Sequence, residues 1–557
     1  MHSPPKEPSI VLELECLPYA VGHATEGVCL LVRIGTYRIL LDCGLQDVSL
    51  LKSHDGSLPP ADVVLCSHAH QDHARGLLAL HQAYPQLPIY ASGVTAKLLP
   101  LNWPEEPEVP DFCQPLAWRS PFNLYPDLTV ELWPAGHLPG AAAALITHKT
   151  SERDYTLIYT GDYLLSSSRL VDGLPLDELR GLRPDILITE GSYGTSRHPH
   201  RRQQENQLAE RIHRAIANGQ SVLLPTEPLG LGQELLMLLR SHHHFTGRDI
   251  DIWVDGMVAA GCDAYLTLMP YLPSTVQNFA RHQPLFWDTR VRPRVRRWSQ
   301  RDEHTGDDAW YQTPCIVITD DVERVLSSPQ AATQRWLLLL TEQPGRSPQD
   351  LYPSLIEQMP SQFQSFIQSG QWLVDTYLLS EHCDGPGTAQ LIHNLRPQHV
   401  IFVHGAPQYL TDLTGLDELQ SRYHLHCPTA NSLVELPIGE MFHQPAPPDI
   451  RYEGELTELE TIIMVTLPEN MTHDPRWQHL ADTGLVEARW QGDELVLRGV
   501  SQRELLSQGT EAAALSGLEC CENCRFFRKQ RCSGQNSPLF GFKVTPEGYC
   551  PAFEPRS

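Results

Sequence analysis

Ser67-His68-Ala69-His70-Gln71-Asp72-His73 follows directly on the apolar run Val63-Val64-Leu65-Cys66. A short β-branched run of this kind predicts a buried strand. The three imidazoles and one carboxylate that follow stand where that strand ends, and they can point at one small volume. His68 and His70 are spaced for one ion, while Asp72 and His73 turn the chain towards a second. Nitrogen and oxygen donors without thiolate suit Zn²⁺, with Mn²⁺ second on affinity grounds. The plain alternative is a solvated histidine-rich loop. It describes His242-His243-His244, which lies beside Ser241 with no strand leading into it, but it describes His68 to His73 poorly.

On either side of this run the pattern is rich in strands. Ile10 to Leu14, Val28 to Ile34 and Tyr37 to Leu41 read as strands, the last two as a hairpin on Gly35-Thr36. Further strands are predicted over 62–66, 87–91, 128–133, 142–147, 155–159 and 185–189, with a helix over 76–84. Two sheets covered by helices account for that mixture better than a simple doubly wound sheet. From about residue 206 the rhythm becomes helix then strand. Leu208, Ile212 and Ile216 form an apolar helical face ending at Asn218-Gly219, and Ser221 to Pro225 follows as a buried strand. A helix over 233–240 and strands over 249–254 and 316–319 continue it, which implies a parallel α/β unit. The change of rhythm marks a boundary near residue 205. Beyond the Pro-rich linker Gln444 to Pro448 lie a small α+β domain, 449–510, with a hairpin near 485–497, and a cysteine-rich tail, 511–557.

The 557 residues are several domains' worth of chain. No run of 18 apolar residues occurs, and Met1 to Pro8 lacks the features of a signal peptide, so a cytoplasmic protein without a membrane partner is the expectation. Net charge is −25, from 42 basic and 67 acidic residues, which argues against a uniformly basic nucleic-acid-binding surface. Of 14 cysteines, Cys29, Cys66 and Cys315 sit singly in apolar runs and read as small buried hydrophobes. Cys521, Cys524, Cys532 and Cys550 instead have ligand spacing in a tail too short to build its own core. A structural zinc is the first choice there, with an iron–sulfur cluster as runner-up.

His68-x-His70-x-Asp72-His73 resembles the signature of the metallo-β-lactamase superfamily, and further matches follow its order. Asp42 in Leu40-Leu41-Asp42-Cys43-Gly44 resembles the first motif, an acid supporting the site from behind. His137 in Gly136-His137-Leu138 resembles the third, and Asp162 in Thr160-Gly161-Asp162 the fourth, a carboxylate bridging two metals. Glu190-Gly191-Ser192-Tyr193-Gly194 looks like motif A of the β-CASP nucleases, Ser380 to Asp384 like motif B, and Val403-His404-Gly405 like motif C. Pro225 to Leu236 is similar to the segment that opens the β-CASP cap, without the family's usual Arg before Gln233.

The resemblance covers roughly residues 10 to 440 and implies an αβ/βα sandwich, 1–205 and 376–443, with an inserted α/β β-CASP cap, 206–375. It implies an RNA-cleaving hydrolase using a two-metal hydroxide mechanism. In that reading His68, His70 and His137 hold one ion, Asp72, His73 and His404 the other, and Asp162 both. His382 is the general acid, oriented by Glu190. A His at motif C marks RNA-processing relatives, so single-stranded RNA is the implied substrate; endonuclease against 5′ exonuclease stays open. A homodimer or an RNA-processing complex is the implied assembly. Two rival readings remain: a catalytically silent scaffold subunit, which would have lost ligands, and a small-molecule metallohydrolase, which would lack motifs A to C. Against the acidic net charge, Arg290, Arg292, Arg294, Arg296, Arg297 and Arg301 fall within twelve residues without an acid. They are candidate phosphate contacts, and a solvated charged face is the bland alternative.

Overall fold

Alternate residues of β1 (Leu14–Val21) turn inwards, with Leu14, Cys16 and Ala20 buried between Glu15, Leu17 and Tyr19. That alternation of period two gives a sheet one apolar face. The structure is a computed structural model that describes residues 14–23, 26–51, 58–298, 314–327, 331–342 and 361–438, with short stretches between 455 and 555. The first strand thus begins at Leu14, where the expected strand ended; residues 10–13 lie outside the described residues. β2 (Val28–Ile34) and β3 (Tyr37–Leu41) form the predicted hairpin, with Ile34 opposite Tyr37. β4 (Val63–Leu65), β5 (Ile89–Ser92) and β6 (Cys113–Leu116) join in parallel.

β7 (Phe122–Tyr125), β8 (Leu128–Pro134), β9 (Ala142–Lys149) and β10 (Asp154–Tyr159) build a second, antiparallel sheet, to which β11 (Ile186–Glu190) adds in parallel. The chain then leaves through the helix Arg201–Ala217 into a third sheet. This consists of β12 (Ser221–Pro225), β13 (Asp251–Val254), β14 (Arg294–Arg297), β15 (Ile316–Thr319), β16 (Trp336–Thr341) and β17 (Trp372–Tyr377). All six are parallel, in the order β14-β13-β15-β12-β16-β17. Their buried apolar stretches suit a sheet covered on both faces. On its return the chain lays β18 (His399–Val403) beside β11 and β19 (His424–His426) beside β18, and β20 (Val434–Glu435) pairs with β1.

Leu30, Ile39, Val130, Ile146, Ile188 and Ile401 fill the space between the first two sheets. This is the αβ/βα sandwich. The cap carries its own cluster, in which Leu223 and Val317 pack with Trp336 and Trp372. Strands β6, β7, β14, β16, β17, β19 and β20 were not anticipated, β14 because its arginines read as surface. Among the described residues no helix is long and apolar enough to cross a membrane.

Residues 448–557 form a separate unit. It contains the predicted hairpin, Val486–Gln491 with Glu494–Gly499, and an unanticipated one, Glu455–Leu459 with Ile462–Thr466. A short hairpin pairs Phe527–Arg528 with Arg531–Cys532. Cys524 is buried, while Cys521 and Cys550 lie outside the described residues.

Candidate active site

Six strand ends converge on one edge of the sandwich. Asp42 follows β3, His68 follows β4, His137 follows β8, Asp162 follows β10, Glu190 closes β11 and His404 follows β18. Because β3 and β4 run parallel, as do β10, β11 and β18, their carboxyl ends open on a shared side. Two of these residues turn sharply off their strands in the left-handed region, Asp42 with φ 57° and His404 with φ 49°. Such backbone is uncommon without glycine and is concentrated at functional sites. Packing is equally tight behind the loop. A Cβ on Gly44 would stand 1.6 Å from the Asp72 carbonyl oxygen, so only glycine fits there.

Asp42 is fully buried and gathers four donors. The Ser67 amide and hydroxyl reach it at 2.6 and 2.7 Å, the Tyr159 hydroxyl at 2.5 Å, and His73 Nδ1 at 2.7 Å. The last bond fixes the ring of His73 so that Nε2 faces the site. Ser67 and Tyr159 were not anticipated as site residues; each stands at a strand end beside a motif, which is the only signal the chain offers for them.

The same logic orients two more rings, one from the returning core segment and one from the cap. His137 Nδ1 donates to the Glu381 carbonyl at 2.8 Å, and His70 Nε2 lies 3.3 Å from the Leu229 carbonyl. Each ring therefore turns its lone-pair nitrogen inwards, and His137 Nε2 and His70 Nδ1 face one another at 3.0 Å. Two nitrogens that close can share one ion or one proton. His68 Nε2, His73 Nε2 and Asp162 Oδ1 are buried without a hydrogen-bond partner, which elsewhere in a protein would be costly. Asp162 Oδ2 lies 3.5 Å from His68, 3.3 Å from His73 and 3.8 Å from His137, and Oδ1 lies 3.4 Å from His404. His404 Nε2 is 3.0 Å from Asp72 Oδ2. Three overlapping donor groups result: His68, His70, His137 and Asp162; Asp72, His73 and His404; and Asp162, Glu190, His382 and His404.

The electrostatics agree with that fit. Burial, with the neighbouring imidazoles, holds His68 and His137 well below the ordinary histidine range, so both are neutral donors. Burial works in the same direction on His73, but Asp162, Asp72 and Asp42 overrule it and raise His73 well above its usual value. A proton there stands in for a cation, and metal binding would release it.

Glu190 and His382 form the rim. Glu190 Oε2 lies 2.9 Å from His382 Nδ1, and its Oε1 accepts the Tyr163 amide at 2.8 Å. Burial disfavours the charge on His382, yet Glu190, then Asp162 and Glu381, push it up to about 10. Ser192, hydrogen-bonded to Glu190, also lies 2.8 Å from His404 Nδ1 and so links the two halves of the site. Every core residue named from the motifs is thus in this cluster.

The arginine run is not part of it in the same sense. Arg294 to Arg297 form the edge strand β14, in register with Asp251 to Val254. Arg292 and Arg294 reach Asp249 at 3.4 and 2.7 Å, Arg296 reaches Asp251 at 3.5 Å, Arg290 reaches Asp288 at 3.7 Å, and Arg297 pairs with Asp263. The twelve-residue stretch contains no acid, but the fold brings four to it; Arg301 lies outside the described residues.

A family profile described as Beta-lactamase superfamily domain matches residues 37–223, and one described as Zn-dependent metallo-hydrolase RNA specificity domain matches residues 372–420. An uncharacterized protein of Synechocystis sp. is 48% identical over 563 residues, covering 99% of both chains. The chain belongs to the β-CASP branch of the metallo-β-lactamase superfamily. This β-CASP chain is also 30% identical to "Probable RNase MJ4" of Methanocaldococcus jannaschii over 251 residues, 41% of this chain and 56% of that one. Integrator complex subunit 11 of Danio rerio is 22% identical over 452 residues, 74% of this β-CASP chain and 72% of its own. The first profile spans the segment with Asp42, His68 to His73, His137 and Asp162, and the second the segment with His382 and His404.

Proposed function

We propose that this chain is a metal-dependent ribonuclease whose reacting centre is the sandwich edge under the cap. The observation that carries the reading is His382: an imidazole gripped by Glu190 at 2.9 Å, beside a buried His/Asp cluster with unpartnered ligand atoms. In this reading His68, His70 and His137 hold one divalent ion, Asp72, His73 and His404 a second, and Asp162 both, with zinc first and manganese second. When bound, such a pair lowers the pKa of water and neutralises phosphate oxygens. The chain's own part is to fix the ligands through Asp42, Leu229 and Glu381, and to deliver a proton from His382 to the leaving oxygen.

RNA is the proposed substrate because the matched RNA-specificity profile covers the His382 and His404 segment. The cap, taken as 206–375, reaches the site through the Leu229 carbonyl, 3.3 Å from His70 Nε2. We take the setting to be cytoplasmic, and a homodimer or an RNA-processing assembly to be the working form. The arginine run has no share in RNA contact in this reading, since its five named members meet four aspartates. In the tail, Cys521, Cys524, Cys532 and Cys550 are assigned to one structural zinc.

Purified full chain incubated with 5′-monophosphorylated, 5′-triphosphorylated and circular RNA tests the reading. Cleavage of linear RNA that is lost in His68→Ala and Asp162→Ala is the expected result, and cutting of the circle identifies endonuclease action. Intact RNA under all conditions, or full activity in either variant, overturns it.

A further inference from the structure

The chain holds a second group of histidines, outside the catalytic edge, that the ribonuclease reading does not use. His242, His243 and His244 form the turn that ends the helix Leu231–Ser241, and one ring nitrogen from each lies within 4.8 Å of the others. Their ring centroids are 4.3–5.0 Å apart. As a bare sequence this is the solvated loop of the plain alternative. In the fold His242 is buried, only 7% exposed, and the turn lies against the helix Arg201–Ala217.

That helix supplies two acceptors one turn apart. His242 Nε2 lies 3.1 Å from Asn206 Oδ1, and His244 Nε2 lies 3.0 Å from Glu210 Oε2. An amide oxygen and a carboxylate can only accept, so both rings carry their proton on Nε2, and Nδ1 is the lone-pair nitrogen in each. His242 Nδ1 accepts the His244 amide at 3.3 Å, a long bond that an ion on this nitrogen would replace. Metal-binding histidines are generally held in this way, the outer nitrogen bonded to a carboxylate or amide oxygen and the inner one presented to the ion. His213 stacks flat on His244, with centroids 4.8 Å apart and planes 3° from parallel, and covers the outer side of that ring.

We propose that His242, His243 and His244 bind one divalent late first-row transition ion, with Asn206 and Glu210 orienting two of the ligands. Three imidazoles suit zinc, nickel or copper and exclude calcium and magnesium. An ion with metal–nitrogen bonds of about 2.1 Å holds tetrahedral ligands about 3.4 Å apart, so the three rings need only a small inward adjustment. A fourth position remains for water. The ion would pin the end of the second cap helix to the first, which is the helix that leads from the core into the cap.

The test uses the full chain, with the catalytic cluster and tail intact, and zinc as the probe. Equivalents bound at saturation are counted by equilibrium dialysis and elemental analysis for the wild type, for His243→Ala/His244→Ala, and for Glu210→Gln. The buried His242 is left unchanged so that the fold is not put at risk. The double variant should bind one equivalent fewer and lose part of the zinc-induced rise in melting temperature. Glu210→Gln should keep the equivalent but bind it about 10–100-fold more weakly, the usual effect of removing an orienting partner. Equal stoichiometry and affinity in all three proteins would overturn the proposal. RNA cleavage is not the readout, so the result stands whether or not the ribonuclease reading holds.

Discussion

Glu190 Oε2 lies 2.9 Å from His382 Nδ1, joining the end of β11 to the loop that follows β17, 192 residues further along the chain. Glu190 raises His382 above the ordinary histidine range, the direction a general acid needs. His382→Ala should therefore retain its metal and lose turnover by about 10²–10⁴-fold, the contribution of one general acid. Glu190→Gln removes the charge that raises His382, so the imidazole loses its proton at lower pH. Since a general acid works only when protonated, the alkaline limb of the rate profile should move to lower pH in that variant. Single-turnover rates against pH, with metal content measured on the same samples, check both; metal loss in His382→Ala would make it a ligand instead.

Gly44 and Asp72 give a test that depends on packing and on no ionisable group at all. A Cβ at Gly44 would stand 1.6 Å from the Asp72 carbonyl oxygen and 2.8 Å from the Val28 amide nitrogen, both of them backbone atoms that cannot swing aside. Gly44→Ala must push the loop carrying Asp72 and His73 away from the strand ends. Overpacking of this kind costs about 1–3 kcal/mol. Zinc affinity should fall with stability, and thermal melts with and without chelator measure both. A variant with wild-type zinc affinity would separate the loop position from the metal site.

How far the chain could be read before folding follows from where each partner lies. His68 to His73, Asp42, His137, Asp162 and His404 are legible because each is a short polar string at the end of an apolar run, and strand ends are local features. Ser67 and Tyr159 were not legible as partners of Asp42, since Ser67 depends on the parallel pairing of β3 with β4 and Tyr159 on β10 facing the end of β3 across the sandwich. The ion pairs of the arginine run were hidden for the same reason. Its neutralising Asp249 and Asp251 lie some forty residues earlier and arrive through the parallel register of β13 with β14, in which Asp251 stands opposite Arg294. His242 to His244 likewise looked solvated until Asn206 and Glu210 came against them from another helix.

That register makes a prediction about the arginines. If their guanidinium groups are engaged by Asp249, Asp251 and Asp263, then replacing Arg294, Arg296 and Arg297 with Gln should loosen the edge of the cap sheet and lower its melting temperature. RNA affinity and its salt dependence should stay the same. If instead they touch phosphate, the salt slope for single-stranded RNA should flatten by about 0.7 for each phosphate no longer neutralised. Binding isotherms over a range of salt, run beside thermal melts, distinguish the two outcomes. A flattened slope with an unchanged melting temperature would restore the run to the RNA-binding surface.

The cysteine tail offers the last test. Four thiols with two, seven and seventeen residues between them cannot be supported by a core of their own in so short a segment, so a bound ion is what would order it. Removing residues 511–557 should take away one zinc equivalent and leave the catalytic ions and the cap ion in place. Cys524→Ser should do the same, because a tetrathiolate site does not survive the loss of one sulfur ligand as a closed tetrahedral shell. Elemental analysis of the three proteins gives the count, and their absorption spectra give the chemistry. Zinc leaves the visible region empty, whereas iron and labile sulfide in a brown protein would assign the same four thiols to a cluster. An identical metal count in the full and shortened chains would show that these cysteines bind no metal.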